Sequence, residues 1–222
     1  MKLIDQTKKS YELTYANGYD KSYPSLEVVR LENLFFKNQK GSVLDFGCGP
    51  GTNGIHLLKK GYNVTFCDIS ENALKKLRIK LKSLKIKKNY KIINLSKNKN
   101  FLKTKKQLFD YIICFSVFNN LGDKRNAELF VKFFYNILRF NGKIIIDSNL
   151  KGKHNYKIVN RKKNLYTTHP NNNFKLKMYF PTRSVFIKIV KRNGFKINDI
   201  GRAMFKIFDT KEDEIIISAT KK

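Results

Sequence analysis

The stretch VLDFGCGPGTNG, residues 43–54, decides the fold of this 222-residue chain. It opens as a short apolar strand, reaches an acid at Asp45 and passes through closely spaced glycines into a helical pattern. A strand that ends in glycines and opens into a helix presents main-chain N–H groups to a ligand, and side chains there would block close approach. The stretch therefore predicts a strand–loop–helix unit that binds a ligand through its backbone.

On both sides of this unit the sequence alternates between apolar strands and amphipathic helices. Such alternation predicts a parallel sheet with helices on both faces. Near the C-terminus, two strand patterns separated by about a dozen mixed residues without a clear helix predict an antiparallel pair. The seven predicted strands are Ser42–Phe46, Asn63–Asp68, 90–95, 111–116, 143–147, 195–200 and 214–219. The predicted helices are 52–60, two that begin after Ser70 and Asp123, and 182–193.

A single domain is expected over residues 1–222, because there is no internal repeat and no long linker. Residues 1–40 form an N-terminal lid or helical segment, and 41–150 form the ligand-binding core. Residues 151–181 are polar and irregular and are interpreted as an insertion lying over the site. Residues 182–222 supply the last helix and the closing strand pair.

The formal net charge of +29 has two interpretations. A strongly positive field attracts nucleic-acid phosphates. However, 38 Lys, 24 Asn and 22 Ile against 8 Arg indicate codons rich in A and T, and nucleic-acid surfaces usually use more Arg. Residues 75–106 hold 14 Lys or Arg and no acid. However, leucines at helical spacing predict an amphipathic helix in this stretch, and the basic residues then lie on its solvent-exposed face. Nucleic acid is therefore the less favoured partner.

The three cysteines, Cys48, Cys67 and Cys114, are too few and too widely spaced for a disulfide framework or a zinc knuckle. We therefore expect a reducing, cytoplasmic location and no bound metal. No apolar run is long enough to span a bilayer, so membrane insertion is not expected.

Two cofactor classes use a glycine-rich loop of this kind. Gly49, Gly51 and Gly54 match the G-x-G-x-x-G of dinucleotide enzymes. Against a dinucleotide, the carboxylate of Asp45 would repel a pyrophosphate but suits a ligand with an ammonium group. The glycines also start earlier, at Gly47, and the chain closes with a predicted antiparallel pair. A cationic nucleoside is the favoured ligand.

The loop resembles motif I of the class I S-adenosylmethionine (SAM)-dependent methyltransferases, and the strand order is similar along nearly the whole chain. The resemblance implies a Rossmann-like fold, SAM as cofactor and S-adenosylhomocysteine as its product. It places the methionine part of SAM among loop residues Asp45, Gly47, Cys48, Gly49 and Gly51. Asp68, 23 residues after Asp45, would accept hydrogen bonds from both ribose hydroxyls, for which two carboxylate oxygens are suited.

The same resemblance places Ile69 beside the adenine. Family members often have an acid after the third strand, whereas INLSKNKN has none; Ser96 or Asn98 could replace it. After the fourth strand, Phe115 and Ser116 would lie along SAM. The next polar side chains, Asn119 and Asn120, would face the transferred methyl group.

The N-terminal segment YDKSYPSLEVVRL is similar to segments that precede the core in bacterial small-molecule methyltransferases. In that interpretation Tyr11, Tyr19 and Tyr23 form a lid over SAM, and Arg30 lies near its carboxylate. The alternative is that Tyr15, Tyr19 and Tyr23 are aromatic packing only.

Methyl transfer from SAM is an in-line displacement, and a general base is needed only when the acceptor must lose a proton. His154, His169 and Asp147 are the candidate bases. The favoured function is methylation of a small molecule, such as a sugar or another metabolite, by a monomer or homodimer. An RNA or DNA methyltransferase and a non-catalytic SAM-binding module remain as alternatives.

Overall fold

A computed structural model describes residues 2–36, 40–150, 157–160, 165–167, 176–207 and 210–222. Its main feature is a seven-stranded sheet in the order β3-β2-β1-β4-β5-β10-β9. These strands are β1 Ser42–Phe46, β2 Asn63–Asp68, β3 Tyr90–Asn94, β4 Phe109–Cys114, β5 Leu138–Asn149, β9 Phe195–Ile207 and β10 Thr210–Lys221. β1 to β5 are mutually parallel, and β10 runs antiparallel to both β5 and β9. The predicted fold class is confirmed.

Helices cover both faces of this sheet, as the apolar strands require. One face carries α2 Leu26–Leu31 with the π-helical turn Glu32–Phe36, α3 Thr52–Lys59 and α4 Glu71–Ser83. The other carries α5 Lys124–Ile137 and α6 Arg183–Arg192. Val43 and Leu44 are both fully buried on adjacent positions of β1, so each face has its own apolar core.

The carboxyl ends of the parallel strands point to one edge of the sheet, where the loops after β1, β2, β4 and β5 meet. A short 3-10 turn, Phe118–Leu121, follows β4 at this edge, and another, Lys99–Lys103, follows β3. In open parallel sheets ligands bind at this edge, next to the point where the strand order reverses. Here the reversal lies between β1 and β4.

The closing strand pair is longer than the sequence predicted. We expected strands at 195–200 and 214–219 joined by about a dozen residues, but β9 reaches Ile207 and β10 starts at Thr210. Polar and mixed residues continue β9 because Gly201, Arg202 and Met204 are exposed, and exposed strand positions need no continuous hydrophobic pattern.

The N-terminal segment contains α1 Lys2–Ala16, which lies against α4. In the insertion, β6 Lys157–Asn160, β7 Leu165–Thr167 and β8 Lys177–Tyr179 form a small antiparallel sheet. Among the described residues, none of the helices is both long and apolar enough to cross a bilayer.

Candidate functional site

The glycine loop after β1 is tied to the neighbouring strand. The backbone N–H groups of Gly47 and Cys48 both donate to the Cys67 carbonyl, at 2.7 and 3.1 Å. Gly49 and Gly51 adopt positive φ angles of 54° and 84°, which L-residues with side chains rarely adopt. Gly51 immediately precedes α3, so the loop turns directly into the positive end of that helix.

Asp45 lies under this loop. It is 3% exposed, and its Oδ2 accepts a hydrogen bond from the Gly54 N–H at 2.9 Å. Burial raises the pKa of Asp45 to about 7, and the nearby Asp68 carboxylate acts in the same direction. Without a ligand, these two carboxyl groups are therefore better accommodated when a proton or a cation neutralises one of them.

Asp68 joins the loop to the following helix. Its Oδ2 accepts from the Gly49 N–H at 2.8 Å and its Oδ1 from the Ser70 N–H at 2.8 Å. Burial raises the pKa of Asp68, while these backbone bonds lower it. A carboxylate has about four acceptor positions, so both oxygens can accept further bonds from a ligand diol.

Helix α1 covers the loop through Tyr15, a residue that the sequence analysis had considered only as packing. Tyr15 is 8% exposed, and a Cβ built on Gly49 would lie 2.6 Å from its Oη. Burial and the Asp68 carboxylate raise the pKa of the Tyr15 hydroxyl. One turn earlier, Glu12 accepts from the Ser70 hydroxyl at 2.9 Å and from the Glu71 and Asn72 N–H groups at 2.7 and 2.9 Å.

Glu12 therefore anchors α1 on the N-terminus of α4, where the helix dipole favours a negative charge. The sequence holds no local motif for this contact, because the two partners are about 60 residues apart. The separation explains why sequence analysis missed both Glu12 and the covering role of Tyr15.

The other predicted lid residues are placed differently. Tyr11 and Tyr19 flank the Tyr15 ring at centroid distances of 6.2 and 5.8 Å. Tyr23 is 82% exposed, and Arg30 is exposed on α2. The structure thus brings Tyr11 and Tyr19 to the Tyr15 cluster but leaves the Tyr23 and Arg30 side chains largely in solvent.

Near the end of β2, Ile69 is half-buried and packs against the core shared with α5. Cys48 is buried, its Sγ donates to the Gly49 carbonyl, and burial raises the pKa of its thiol. Of the two polar residues considered for adenine, Ser96 donates its hydroxyl to Asn94 at 2.6 Å, and Asn98 is exposed.

Beyond β4, Phe115 is buried in the core on the α2–α3–α4 face. Ser116 is exposed and has a positive φ of 58°. Its N–H donates to both oxygens of Asp147, at 2.8 and 2.9 Å. Asp147 is 1% exposed, and burial together with the neighbouring Glu214 raises its pKa well above the usual range.

Asn119 and Asn120 differ in their surroundings. Asn119 is 4% exposed, and its amide donates to the Asn149 and Tyr179 carbonyls at 2.9 and 2.8 Å, which joins β5 to β8. Asn120 donates to the Ser116 carbonyl at 2.9 Å, and its buried Oδ1 has no partner. The remaining candidates, His154 and His169, lie outside the described residues.

Taken together, the crevice is acidic in a strongly basic chain. Buried or half-buried carboxylates from five elements lie there: Glu12, Asp45, Asp68, Asp147 and Glu214. Main-chain N–H groups, a covering aromatic ring and negative charge fit a cationic nucleoside, whereas a pyrophosphate would be repelled. In the part of the chain that the structure describes, no group of three or more His, Cys, Asp or Glu could hold a metal ion.

Comparison with known proteins gives one match to a family model, over the central part of the chain. Residues 44–144 match the model of a methyltransferase domain. This segment contains the glycine loop, Asp68, Ser116 and most of β5. No curated protein matches the chain in sequence.

Solved structures share the fold over most of the chain at low identity. NodS, an N-methyltransferase from Bradyrhizobium japonicum solved with S-adenosyl-L-homocysteine, is 16% identical over 98% of this chain and 99% of its own, with a TM-score of 0.70. The 1,6-didemethyltoxoflavin-N1-methyltransferase of Burkholderia thailandensis is 13% identical over 98% and 88%, with a TM-score of 0.71. A SAM-dependent methyltransferase from Methanosarcina mazei is 17% identical over 82% and 92%, with a TM-score of 0.68.

Proposed function

We propose that the chain is a class I SAM-dependent methyltransferase and that it transfers a methyl group from SAM to a small-molecule acceptor. The observation that carries this proposal is the glycine loop held between two buried carboxylates, Asp45 and Asp68. When bound, SAM supplies an electrophilic methyl group on a positively charged sulfur.

The residues of the chain would hold SAM along the edge of the sheet. Asp68 accepts the ribose hydroxyls with the oxygens that also fix Gly49 and Ser70. Asp45, held under the loop by the Gly54 N–H, attracts the ammonium group of the methionine part. Tyr15 closes the site from above, and Phe115 and Ser116 line its side. Cys48 and Ile69 complete the wall, and Tyr23 and Arg30 reach the ligand only if the N-terminal segment closes further.

Catalysis by this arrangement rests on alignment and exclusion of water. Holding the acceptor atom, the methyl carbon and the sulfur in line can supply most of the acceleration of a displacement. The cover formed by α1 excludes water from the cofactor, which strengthens the electrostatic contacts of Asp45 and Asp68.

Two features support a small acceptor. The similar structures include enzymes whose names identify small-molecule or N-methyl transfer, such as the toxoflavin enzyme and NodS. In addition, α1 and β8 both contact the turn Phe118–Leu121 beside the crevice, which suits an enclosed acceptor. We also propose a single domain, 1–222, with 1–40 as a cover and 151–181 as an acceptor-side insertion.

The second candidate is methylation of RNA or DNA. It is favoured by the basic surface formed by residues 75–106, where 12 of the 14 Lys and Arg residues are exposed. This surface continues from α4, whose first turn adjoins Asp68. If this basic surface bound phosphates, the logarithm of the affinity would fall linearly with the logarithm of the salt concentration.

One experiment separates the two candidates. The protein is incubated with methyl-labelled SAM and either a metabolite extract or total RNA, and the label is followed by mass spectrometry. We expect label in a small molecule, lost in Asp68→Asn and kept in Asp110→Asn, a carboxylate at the opposite end of the sheet. Label in RNA, with a steep salt dependence, would instead support the second candidate.

A further inference from the structure

A cluster of hydrogen-bond acceptors lies at the carboxyl edge of β4, β5 and β10, beside the crevice but away from the glycine loop. Asn149 and Glu214 are directly opposite each other in the antiparallel β5–β10 pair, so their side chains share one face of the sheet. Asp147, two residues before Asn149, lies on the same face. Asn120 approaches the cluster from the turn after β4, through its bond to the Ser116 carbonyl.

The hydrogen bonds within this cluster leave acceptors in excess. Asp147 and Glu214 bring two carboxyl groups to one face of this strand pair, and like charges held close together favour a donor or a cation between them. The Oδ1 atoms of Asn120 and Asn149 are buried, and neither has a hydrogen-bond partner. The orientation of the Asn120 amide is fixed, because its NH2 group donates to the Ser116 carbonyl at 2.9 Å.

Unpaired buried acceptors cost free energy unless a ligand supplies donors. The ligand that satisfies them carries several N–H donors or a positive charge, and an anionic group would be repelled by the carboxyl pair. The backbone of Ser116 also indicates a functional site here, because Ser116 is an exposed non-glycine residue in the left-handed region, a conformation that is concentrated at functional sites. Asp147 holds it there with two bonds.

We propose that the methyl acceptor presents an amino group to this cluster and that Glu214 receives the proton which the nitrogen loses. This inference rests on the proposed methyltransferase function. The nitrogen lone pair forms a bond to the methyl carbon, and the electrons of the carbon–sulfur bond go to sulfur, which becomes the neutral thioether of S-adenosylhomocysteine. The proton leaves the methylated nitrogen for a carboxylate oxygen of Glu214, and because Glu214 is half-buried, the proton passes from there to solvent. Asp147 acts as a positioning residue, through Ser116 and Glu214.

The test identifies the atom that receives the methyl group. The protein is incubated with SAM carrying a 13C-methyl group and a metabolite extract, and the product's methyl carbon is assigned to nitrogen, oxygen, sulfur or carbon by NMR. Half of the extract is first treated with an acetylating reagent that blocks amines. We expect a methyl group on nitrogen and loss of the product from the acetylated half.

Variants test the role of Glu214 separately. Glu214→Gln should lower the rate of product formation at saturating SAM at least tenfold and leave the SAM dissociation constant within twofold, and Glu214→Asp should restore part of the rate. Glu128→Gln, which removes an exposed carboxylate on α5, is the matched control and should not change the rate. A methyl group on oxygen, sulfur or carbon, or an unchanged rate in Glu214→Gln, would overturn the inference and leave the proposed function standing. Absence of any SAM-dependent product would overturn both.

Discussion

The two halves of the crevice are built in different ways. The cofactor half takes its loop and Asp45 from one stretch of twelve residues, 43–54, and adds Asp68 from the next strand. The proposed acceptor half combines Ser116, which follows β4, with Asp147 on β5 and Glu214 on β10. Binding a constant cofactor needs a local backbone shape that a short motif encodes, whereas the acceptor half exists only after distant strands have paired.

The largest expected effect in the cofactor half comes from removing the charge of Asp68. Asp68→Asn should weaken SAM binding about 100-fold, because hydrogen bonds to a charged group contribute about 1.5–3 kcal/mol each. Isothermal titration measures the change. The control is Asp110→Asn, since Asp110 accepts from the Ser42 N–H at 2.8 Å and from Arg139 at 2.7 Å at the amino end of the sheet. The control should lower thermal stability and keep SAM affinity; equal losses in both variants would contradict our assignment.

A second variant tests whether Asn119 belongs to the acceptor site or to the scaffold. Asn119→Ala removes the donor to the buried Tyr179 carbonyl and the acceptor of the Asn149 N–H, so we expect the free energy of unfolding to fall by about 2 kcal/mol. Denaturant unfolding measures it. Asn120→Ala removes a single hydrogen bond, to the Ser116 carbonyl at an exposed position. It should lower the free energy of unfolding by less than half as much. If Asn119→Ala instead kept its stability and lost only methyl transfer, the sequence-based prediction that Asn119 faces the methyl group would stand.

A third variant separates backbone strain from ligand contact in the cofactor half. Gly49→Ala should weaken SAM binding about tenfold, because it strains a positive φ and places a Cβ between the loop and Tyr15. Gly61→Ala carries similar strain at φ 92° outside the site, where the nearest atom to a Cβ is Lys40 Cε at 3.4 Å. Both should lose about 1 kcal/mol of stability. A loss of SAM affinity in Gly61→Ala as well would mean that strain alone explains the effect.

The smallest expected effect is a pH dependence of SAM binding. Burial raises the pKa of Asp45 to about 7, so the carboxyl group is mostly protonated below that pH in the free protein. A cationic ligand prefers the ionised form, and SAM affinity should therefore rise several-fold between pH 5.5 and pH 7.5, a range taken around that pKa. Without ligand the sign is opposite: stability falls as pH rises between the ordinary pKa of 3.8 and about 7, because ionising Asp45 costs more in the folded state. Asp45→Asn should flatten both profiles.

Most of the fold follows from the sequence, because strand and helix patterns are local. The helix capped by Ser70 and the helical spacing of Leu74, Leu77 and Leu81 appear as predicted, whereas the fourth leucine of that pattern, Leu84, lies just beyond the helix and is exposed. The exact ends of β4 and the long β9–β10 hairpin do not follow, since polar residues continue a strand whenever a neighbour supplies hydrogen bonds.

The site likewise contains features that the sequence predicts and features that it does not. The glycine loop could be predicted because its spacing reflects one backbone shape. The contact of Tyr15 with Gly49, the bonds of Glu12 to α4 and the Asp147–Glu214 pair could not, because each joins residues far apart in the chain and leaves no pattern in either segment.

The central claim, that the loop between two carboxylates binds a cationic nucleoside, is tested most directly by titrating the purified chain with SAM and, separately, with NAD+. We predict a one-to-one complex with SAM and no detectable heat with NAD+. Binding of NAD+ without binding of SAM would contradict the account.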